Sequence, residues 1–392
     1  MKVLLVHNGY QQPGGEDVVF DQEHQMLKNA GHDTVLYRRS NWDVNEYRGL
    51  RKIVLAKRTV WASDTKREFL QLLQSEKPEV VHVHNTFVMI SPSIYSACRE
   101  AGVPVVQTLH NYRLLCPSAT LFRDGKICED CVTGSLLRGV QHACYHDSRS
   151  ATAVVALMLA THRLRGTWQN EIACFVALTE FSRQKLIEGG LPAEKIMVKP
   201  NFVHPDPAAR TGDGDYALFV GRLSPEKRVS TVLAAWKQLQ FPVPLLVLGG
   251  GPEQTQLQAQ AVHDGLTHIR FLGQVPREQT IAAINNARFL VFSSEWYENF
   301  PVTIAEAFAC ATPVLASRMG AMQEIVSDGR TGLHFSAGDS EDLARKVEWA
   351  WTHRDEMRAM GVGARTEYET KYTAEKNYPL LMEIYRKAIR GA

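Results

Sequence analysis

The chain has 392 residues, of which 45% are hydrophobic and 22% are charged, and its net charge is +2. The length predicts two domains of a globular protein, and the near-neutral charge argues against a nucleic-acid partner. The start of the chain is too short an apolar run for a signal peptide, and the longest apolar stretch, 151–160, is far below the ~20 residues that span a bilayer. We therefore expect a cytoplasmic protein that can also make peripheral contact with the inner face of a membrane. Its cysteines are expected to be reduced there.

The first half of the chain alternates short β-branched runs with amphipathic helical stretches. Helices are predicted at 16–30 and 62–76, and strands at 2–8, 33–39, 79–85, 104–111, 174–180 and 195–201. This alternation is typical of a parallel sheet covered by helices on both faces. The polar segment 204–215 then interrupts it and is predicted to be an interdomain linker.

The same alternation resumes after the linker. Strands are predicted at 216–222, 244–250, 268–275, 287–294, 313–318 and 332–336, and the chain is mostly helical after 340. The predicted fold class is therefore α/β, with two doubly wound, Rossmann-like domains facing each other across a cleft. Ligands in such sheets bind at the carboxyl ends of the strands.

Two features of the first domain lie at predicted strand ends. Gly14 and Gly15, in "YQQPGGEDVVF", follow the first strand, where glycine lets the backbone approach a ligand and a helix presents its N-terminus. A simple turn is the alternative. His110, in "TLHN", ends the strand 104–111 at the edge where ligands bind, although a lone histidine is often structural. His82 and His84 end another strand and are weaker candidates for acceptor contact.

Four of the seven cysteines cluster in an insertion after the His110 strand. Cys128 and Cys131 form a C-x2-C pair, and Cys116 and Cys144 lie 12 and 13 positions away from it. This spacing suits one tetrahedral structural Zn²⁺, in which a nearby histidine, 142 or 146, can replace one cysteine. Free thiols or a redox disulfide are the alternatives.

Two stretches combine basic and apolar residues in the way that interfacial helices do. Residues 47–61 interleave arginine and lysine with apolar side chains, and residues 150–168 are apolar and then basic. Both suit a lipid headgroup interface, and a core-facing helix with a solvated basic face is the alternative.

The second domain begins with two motifs at strand ends. In "VGRLSPEKRV", Arg222 ends a strand and Lys227 lies near the next helix, an arrangement that suits a diphosphate. The glycines of "LGGGPE", 248–253, follow the next strand but lack the spacing of a dinucleotide fingerprint.

The segment "ENFPVTIAE" carries acids at both ends, Glu298 and Glu306. Pro301 suits the first helical position, with Asn299 or Phe300 as the cap, so the backbone at 301–303 is expected to form an anion site. Two carboxylates flanking a phosphate site can bind the hydroxyls of a sugar and of a ribose. They can instead form an acid/base pair or lie on a solvated surface helix.

Together these motifs resemble the GT-B fold retaining glycosyltransferases of family GT4. The motifs that carry the resemblance are "GRLSPEKR", "LGGGPE", "ENFPVTIAEAFACATPVLAS", "TGLHF", "VVHVHN", "TLHN", "PGGEDVVF" and "LTEFSRQKLIEGGLPAEKIMVKPNFV". The resemblance covers nearly the whole chain. It departs from the family after Glu298, where the common pattern is E-G-F-G and this chain has Asn299, Phe300 and Pro301.

The resemblance implies a role for each matching residue. His110 and Glu298 would contact the transferred sugar, and Glu306 would bind the ribose. The residues that bind the donor would be Gly14, Gly15, Arg222, Lys227, Glu298, Asn299, Phe300, Pro301, Val302 and Glu306. The catalytic residues would be His110, Glu298, Arg222 and Lys227. Catalysis would need no cofactor, and any zinc on Cys116, Cys128, Cys131 and Cys144 would be structural.

The sequence thus predicts an acceptor-side domain over 1–205, with a Cys-rich insertion at 116–144, and a donor-binding domain over 206–372. The C-terminal helix, 373–392, can rejoin the first domain. The expected partners are a nucleotide-diphosphate sugar donor and a saccharide or lipid-linked acceptor, in bacterial surface polysaccharide biosynthesis. A GT-B sugar-nucleotide epimerase and a non-catalytic, zinc-stabilised binding protein are the alternatives.

Overall fold

A computed structural model describes residues 1–11 and 14–391 of the chain. Its contacts divide the chain into two compact units. The first comprises residues 1–121, 128–201 and 377 onward, and the second comprises residues 122–127 and 202–376. The change of unit at 201/202 lies four residues before the predicted boundary, and the short segment 122–127 within the Cys-rich insertion groups with the second unit.

The first unit is built on a parallel sheet whose strands alternate with helices. Its elements are β1 (Lys2–Gly9), α1 (Gly15–Asn29), β2 (Asp33–Ser40), α2 (Arg51–Val60), α3 (Ser63–Glu76), β3 (Val80–Val83), α4 (Ser93–Ala101), β4 (Val105–Thr108), then β5 (Phe122–Arg123) and β6 (Lys126–Ile127) of the second unit, followed by α5 (Leu137–Gln141), α6 (Arg149–Leu164), α7 (Thr167–Asn170), β7 (Cys174–Ala177), α8 (Glu180–Glu188) and β8 (Ile196–Val198). The strand order is β2-β1-β3-β4-β7-β8, and every pair is parallel.

The second unit repeats this plan. It contains β9 (Ala217–Val220), α9 (Val229–Gln238), β10 (Leu245–Leu248), α10 (Gln254–His263), β11 (Ile269–Gly273), α11 (Arg277–Asn285), β12 (Phe289–Phe292), α12 (Val302–Ala309), β13 (Val314–Ser317), α13 (Ala321–Ile325), β14 (Gly332–Phe335), α14 (Ser340–Thr352) and α15 (Arg354–Lys371), and α16 (Ala374–Arg390) follows. The sheet order is β11-β10-β9-β12-β13-β14, so β9 lies between β10 and β12.

The predicted fold class is confirmed in both halves. Each of the twelve predicted strands is present, as β1 to β4 and β7 to β14, and each pairs with its neighbours in parallel. Strands such as β3 and β12 are buried along their whole length, as expected for a sheet that helices cover on both faces. The observed strands are mostly shorter than the predicted runs, because those runs extend into the loops that carry the motif residues.

The C-terminal helix α16 is anchored to the first unit by polar side chains. Asn377 donates to the Pro200 carbonyl at 2.6 Å and accepts from Lys199 Nζ at 3.0 Å. Further along the helix, the Tyr385 hydroxyl lies 2.8 Å from His82 Nδ1. The first unit is thus completed by residues from the far end of the chain. None of the helices in the described residues combines the length and the apolar character that crossing a bilayer requires.

Candidate functional site

The sheet order of the second unit brings two predicted site residues together. β9 and β12 are adjacent, so the loop with Lys227 and the loop with Glu298 leave the sheet side by side. Lys227 Nζ forms an ion pair with Glu298 Oε1, which also accepts from the Ser294 hydroxyl at 2.8 Å. The ammonium lies 5.2 Å from the ring centroid of Phe292, within cation–π range. These contacts fix the positions of both charges.

Arg222 is placed differently from Lys227. Its side chain is exposed just after β9, and within the described part of the chain its guanidinium has no hydrogen bond or ion pair. A cation without an internal partner keeps its full hydrogen-bonding capacity for a ligand. The loop after β9 therefore offers the unpaired guanidinium of Arg222 and the ammonium of Lys227, which a carboxylate holds in place.

The glycines of "LGGGPE" have a structural purpose in this loop region. Gly249 has a φ of +130°, and a Cβ built on it would lie 1.9 Å from the Gly221 carbonyl oxygen. A Cβ on Gly251 would lie 2.3 Å from the Leu223 oxygen. The loops after β9 and β10 therefore pack backbone against backbone, which only glycine permits. This packing holds the segment that precedes Lys227 in place.

The start of α12 differs from its prediction by one residue. Pro301 is the N-cap, with φ −75° and ψ 98°, and the helix begins at Val302 rather than at Pro301. Proline has no N–H, so Pro301 cannot contribute an amide to an anion site. The anion site predicted for the backbone at 301–303 can therefore involve only residues 302 and 303. The first helical amides are those of Val302 and Thr303. Asn299 and Phe300 precede the cap and are both buried.

Glu306 occupies a different environment from Glu298. Its Oε1 lies 3.2 Å from Arg277 Nε and is buried in the second turn of α12. Burial raises the pKa of Glu306, and the guanidinium of Arg277 partly opposes that rise. Arg277, at the start of α11, was not among the predicted site residues. No local motif identifies it, because it meets Glu306 only through the packing of two helices.

The first unit places His110 beside a second histidine. His110 follows β4, and its Nε2 lies 2.9 Å from Nδ1 of His84, which follows the neighbouring strand β3. Both rings line a cavity of about 40 Å³, and the His110 ring is half-buried. Burial, followed by the neighbouring His84, holds the pKa of His110 well below its usual range, so the ring is neutral at pH 7.

The glycines at the start of α1 lie in an ordinary backbone conformation. Gly14 is the N-cap with φ −125°, and a Cβ there would meet nothing within 4 Å. Gly14 N–H donates to Asp17 Oδ2 at 2.8 Å, and Gly15 is the first helical residue. The conformation therefore does not demand glycine, and a ligand's approach stays the predicted reason for these two residues.

Glu16, next to these glycines, is an ionisable group that the sequence analysis did not identify. It accepts from the Tyr10 hydroxyl at 3.1 Å, and its side chain is only 9% exposed. Burial raises the pKa of Glu16 to about 8, although the hydrogen bond from Tyr10 opposes the rise. An acid within a G-G-E-D run does not signal such a shift, because the burial arises from the fold.

The four clustered cysteines are all thiols, and Cys116 and Cys131 are buried. Burial raises the pKa of Cys131 to about 11, and the nearby thiols of Cys116, Cys128 and Cys144 add to the effect. Among the described residues, however, no three of these sulfur atoms lie within 4.8 Å of one another. The thiols are therefore neighbours without the spacing of metal ligands, and structural zinc stays a prediction.

The raised pKa of Glu16 predicts a pH-dependent stability. The folded protein keeps a proton that the unfolded chain releases near the ordinary value of 4.5, so folding stability falls as pH rises from 4.5 to about 8. Wild type should therefore lose up to about 4 kcal/mol of folding stability between pH 5 and a pH above 8, and Glu16→Gln should abolish this loss. Urea denaturation at the two pH values measures this difference, with exposed Glu46→Gln as the matched control. Equal pH dependence in wild type and Glu16→Gln would contradict the burial argument.

Two family models match consecutive parts of the chain. "Glycosyltransferase Family 4" matches residues 13–207, and "Glycosyl transferases group 1" matches residues 204–367. The two matches meet a few residues after the change from the first unit to the second, and together they include every strand of the two parallel sheets except β1.

Similar proteins agree with these models. A phosphatidyl-myo-inositol mannosyltransferase of Mycobacterium leprae is 30% identical over 62% of this chain and 66% of its own length. An uncharacterized glycosyltransferase of Methanocaldococcus jannaschii is 28% identical over 48% of this chain and 52% of its own. The chain thus spans about half to two thirds of the length of these curated relatives.

Solved structures extend the fold comparison to the whole chain. Sucrose-phosphate synthase of Thermosynechococcus elongatus has a TM-score of 0.73 at 16% identity and full coverage of both chains. HepE of Anabaena, solved in complex with UDP and glucose, has a TM-score of 0.68 at 16% identity and covers 98% of each chain. These likenesses establish the GT-B fold. With both domains matched by their family models, the chain belongs to the group 1 glycosyltransferases of family 4.

Proposed function

We propose that this protein transfers a sugar from a nucleotide-diphosphate sugar to a saccharide or lipid-linked saccharide acceptor, with retention of anomeric configuration. Its proposed setting is bacterial surface polysaccharide assembly. The observation that carries the proposal is the charge arrangement after β9 and β12. Arg222 is an unpaired cation, and Lys227 on the same loop pairs with Glu298 on the adjacent loop.

The names of the similar proteins support this choice of substrates. One relative is a mannosyltransferase that acts on phosphatidyl-myo-inositol, and another, from Pseudomonas aeruginosa, is a D-rhamnosyltransferase. The HepE structure contains UDP and glucose. These names include two transferred sugars, a lipid acceptor and a uridine nucleotide, and we extend these substrate classes to this chain.

The proposed chemistry assigns charge stabilisation to the second unit. The bond between the anomeric carbon and the diphosphate oxygen breaks, and the acceptor oxygen bonds to the same face of that carbon. The leaving phosphate takes the acceptor's proton. Arg222 and Lys227 stabilise the negative charge that develops on the diphosphate. Glu298 holds Lys227 and accepts hydrogen bonds from the transferred sugar, and Glu306 accepts them from the ribose.

Assays with the donor distinguish this proposal from its two rivals. A transferase gives a glycoside of unchanged anomeric configuration, or slow hydrolysis of the donor when no acceptor is present. An epimerase changes the sugar's configuration without any acceptor, and a binding protein does neither. A thermal-shift screen of nucleotide diphosphates and their sugars identifies the donor. NMR of the product then gives its anomeric configuration.

The first prediction for this function concerns Arg222. Arg222→Ala should weaken nucleotide-diphosphate affinity by about 1.5–3 kcal/mol, the range for charge-assisted hydrogen bonds. Unfolding stability should stay unchanged, because the guanidinium has no internal partner in the described part of the chain. Calorimetric titration with UDP and GDP measures the affinity. Arg345→Ala is the control, since Arg345 forms an exposed surface pair with Asp342. If Arg222→Ala binds as tightly as this control, the diphosphate site lies elsewhere.

We also propose that the first unit contacts the membrane surface through α2. Leu50, Ile53 and Val54 are 86%, 57% and 50% exposed and share one helical face. Exposed basic residues border that face, among them Arg51 and Lys52. Apolar side chains beside lysine and arginine suit an anionic headgroup interface. The second predicted stretch, 150–168, is less suited, because α6 buries Val155, Met158 and Leu159 in a hydrophobic core.

Vesicle binding tests the α2 surface. Co-sedimentation with phosphatidylcholine vesicles containing phosphatidylglycerol should exceed that with phosphatidylcholine alone. The double variant Leu50→Asp, Ile53→Asp should lower the bound fraction at least about tenfold, because each leucine-sized side chain contributes ~1.5–3 kcal/mol when buried. Leu164→Asp is the control, since Leu164 is 89% exposed at the end of another helix. Equal losses in both variants would contradict a site on α2.

We propose, finally, that the Cys-rich insertion holds one structural zinc. The support is the cluster of Cys116, Cys128, Cys131 and Cys144 around a segment with little regular structure. Zinc binding would require the four side chains to converge from their present spacing, and would release protons from the thiols. The metal would stabilise the insertion and take no part in transfer.

Elemental analysis of protein purified without chelator tests the zinc proposal. We expect about one zinc per chain and its loss in Cys131→Ser, together with faster proteolysis within 116–144. Nucleotide binding by the second unit should persist. Cys174→Ser is the control, because Cys174 lies in β7 outside the insertion. Metal-free wild-type protein with the same digestion pattern as Cys131→Ser would leave the cluster as plain thiols.

A further inference from the structure

A buried polar network lies under the carboxyl ends of β3 and β4 in the first unit. Its centre is Glu23, on the core-facing side of α1, whose side chain is completely buried. Glu23 Oε1 pairs with the equally buried Lys199 Nζ at 2.5 Å. Burial alone would raise the pKa of Glu23, but Lys199 and His84 outweigh it and hold that pKa well below its usual range. Glu23 is therefore a carboxylate.

The second oxygen of Glu23 faces His84. Glu23 Oε2 and His84 Nε2 are 3.4 Å apart, and His82 Nδ1 lies 3.6 Å from the same oxygen. Within the described residues neither Glu23 Oε2 nor His84 Nε2 has a hydrogen bond of ordinary length, so this long contact is the polar interaction that the two buried atoms make with each other. The opposite nitrogen of the ring, Nδ1, lies 2.9 Å from His110 Nε2. Glu23, His84 and His110 thus form a row in which each ring nitrogen of His84 meets one polar neighbour.

Charge fixes the direction of the hydrogen bonds in this row. A carboxylate only accepts, so the nitrogen of His84 that faces Glu23 carries the hydrogen. Burial lowers the pKa of His84, so its ring is neutral; its lone pair is then on Nδ1, which must accept from His110. His110 therefore carries its hydrogen on Nε2, and its own lone pair is on Nδ1. The reverse assignment would set the Nε2 lone pair of His84 against a carboxylate in a buried site.

The neighbouring His82 does not impose a direction of its own. Its Nδ1 lies 2.8 Å from the Tyr385 hydroxyl and 3.6 Å from Glu23 Oε2, and its Nε2 lies 2.8 Å from the Thr108 hydroxyl. Hydroxyl groups donate and accept equally well, so the two short contacts of His82 fit either tautomer. The carboxylate of Glu23 is the group in this network that sets the direction.

We propose that Glu23 and His84 are positioning residues that lock His110 as the Nε2–H tautomer, so that its Nδ1 accepts a hydrogen bond from a sugar hydroxyl. His110 Nδ1 has no internal partner among the described residues, and its ring is half-buried beside the cavity. This inference rests on the proposed glycosyl transfer. It makes His110 a hydrogen-bond acceptor rather than a donor or a charged group.

NMR of the wild-type protein tests the tautomer without any variant. With ¹⁵N-labelled histidine, long-range ¹H–¹⁵N correlations show which ring nitrogen carries the hydrogen, and His110→Gln assigns the signal by its loss. We expect His110 to show a protonated Nε2 and an acceptor Nδ1 at pH 7. A protonated Nδ1, or a doubly protonated ring, overturns the proposal.

Glu23→Gln tests whether the carboxylate is the cause. Lys199 donates to the side-chain oxygen, so the amide NH₂ of the glutamine has to face His84 Nε2. That nitrogen must then accept, which reverses both hydrogen bonds and moves the His110 hydrogen to Nδ1. A folded Glu23→Gln protein that keeps the wild-type His110 signals overturns the assignment to Glu23.

A pair of His84 variants covers the case in which Glu23→Gln does not fold. His84→Asn keeps an acceptor oxygen beside His110 and should retain the single Nε2–H tautomer. His84→Leu removes the acceptor and should give a mixture of two tautomers. Identical His110 signals in the two variants overturn the relay. UDP affinity should be unchanged in both, and donor hydrolysis is measured separately, so inactivity toward every donor would count against the proposed function and not against the tautomer.

Discussion

The second unit is organised around the pairing of Lys227 with Glu298. The two residues lie 71 positions apart, on loops that follow the adjacent strands β9 and β12. A lysine held by a carboxylate is pre-positioned, but it is also partly neutralised. A diphosphate would therefore share Lys227 with Glu298 while it meets Arg222 unopposed. The two cations of one motif consequently differ in what they offer a ligand, a distinction that their spacing does not reveal.

The backbone around this pair is equally constrained. Glycines after β10 let that loop pack directly on the loop after β9, and Ser293 Oγ donates to the Lys227 carbonyl at 2.8 Å. Glu295 N–H donates to the carbonyl of Glu226 at 2.9 Å. Three consecutive strands in the sheet thus contribute loops that brace one another. Such bracing limits the reorganisation that a charged ligand would otherwise have to induce.

Sequence patterns predict the fold well, because the spacing of hydrophobic residues in each strand and helix indicates which of its faces is buried. They also place Arg222 and Lys227 after one predicted strand and Glu298 after another, as the structure has them, while the roles of these residues stay predictions. They fail where partners come from distant segments. Lys199 meets Glu23 across 176 positions, and Arg277 meets Glu306 across the packing of two helices. One local signal was present for Glu23, which lies four residues after Val19 on the apolar face of α1. An acid on such a face needs a buried partner.

The network around Glu23 shows why such a partner is tolerated in a core. Removing two charges and two imidazoles from water costs stability, and apolar side chains of similar volume would pack at lower cost. A buried network of this kind is therefore expected to provide a property that apolar packing cannot provide. A hydrophobic neighbour would hold the His110 ring in place but leave its hydrogen on either nitrogen. A buried carboxylate, aligned through His84, selects one nitrogen. The network lies under the carboxyl ends of β3 and β4. Through it, the buried charge of Glu23 determines which nitrogen of His110 accepts a hydrogen bond at the ligand-binding edge of the sheet.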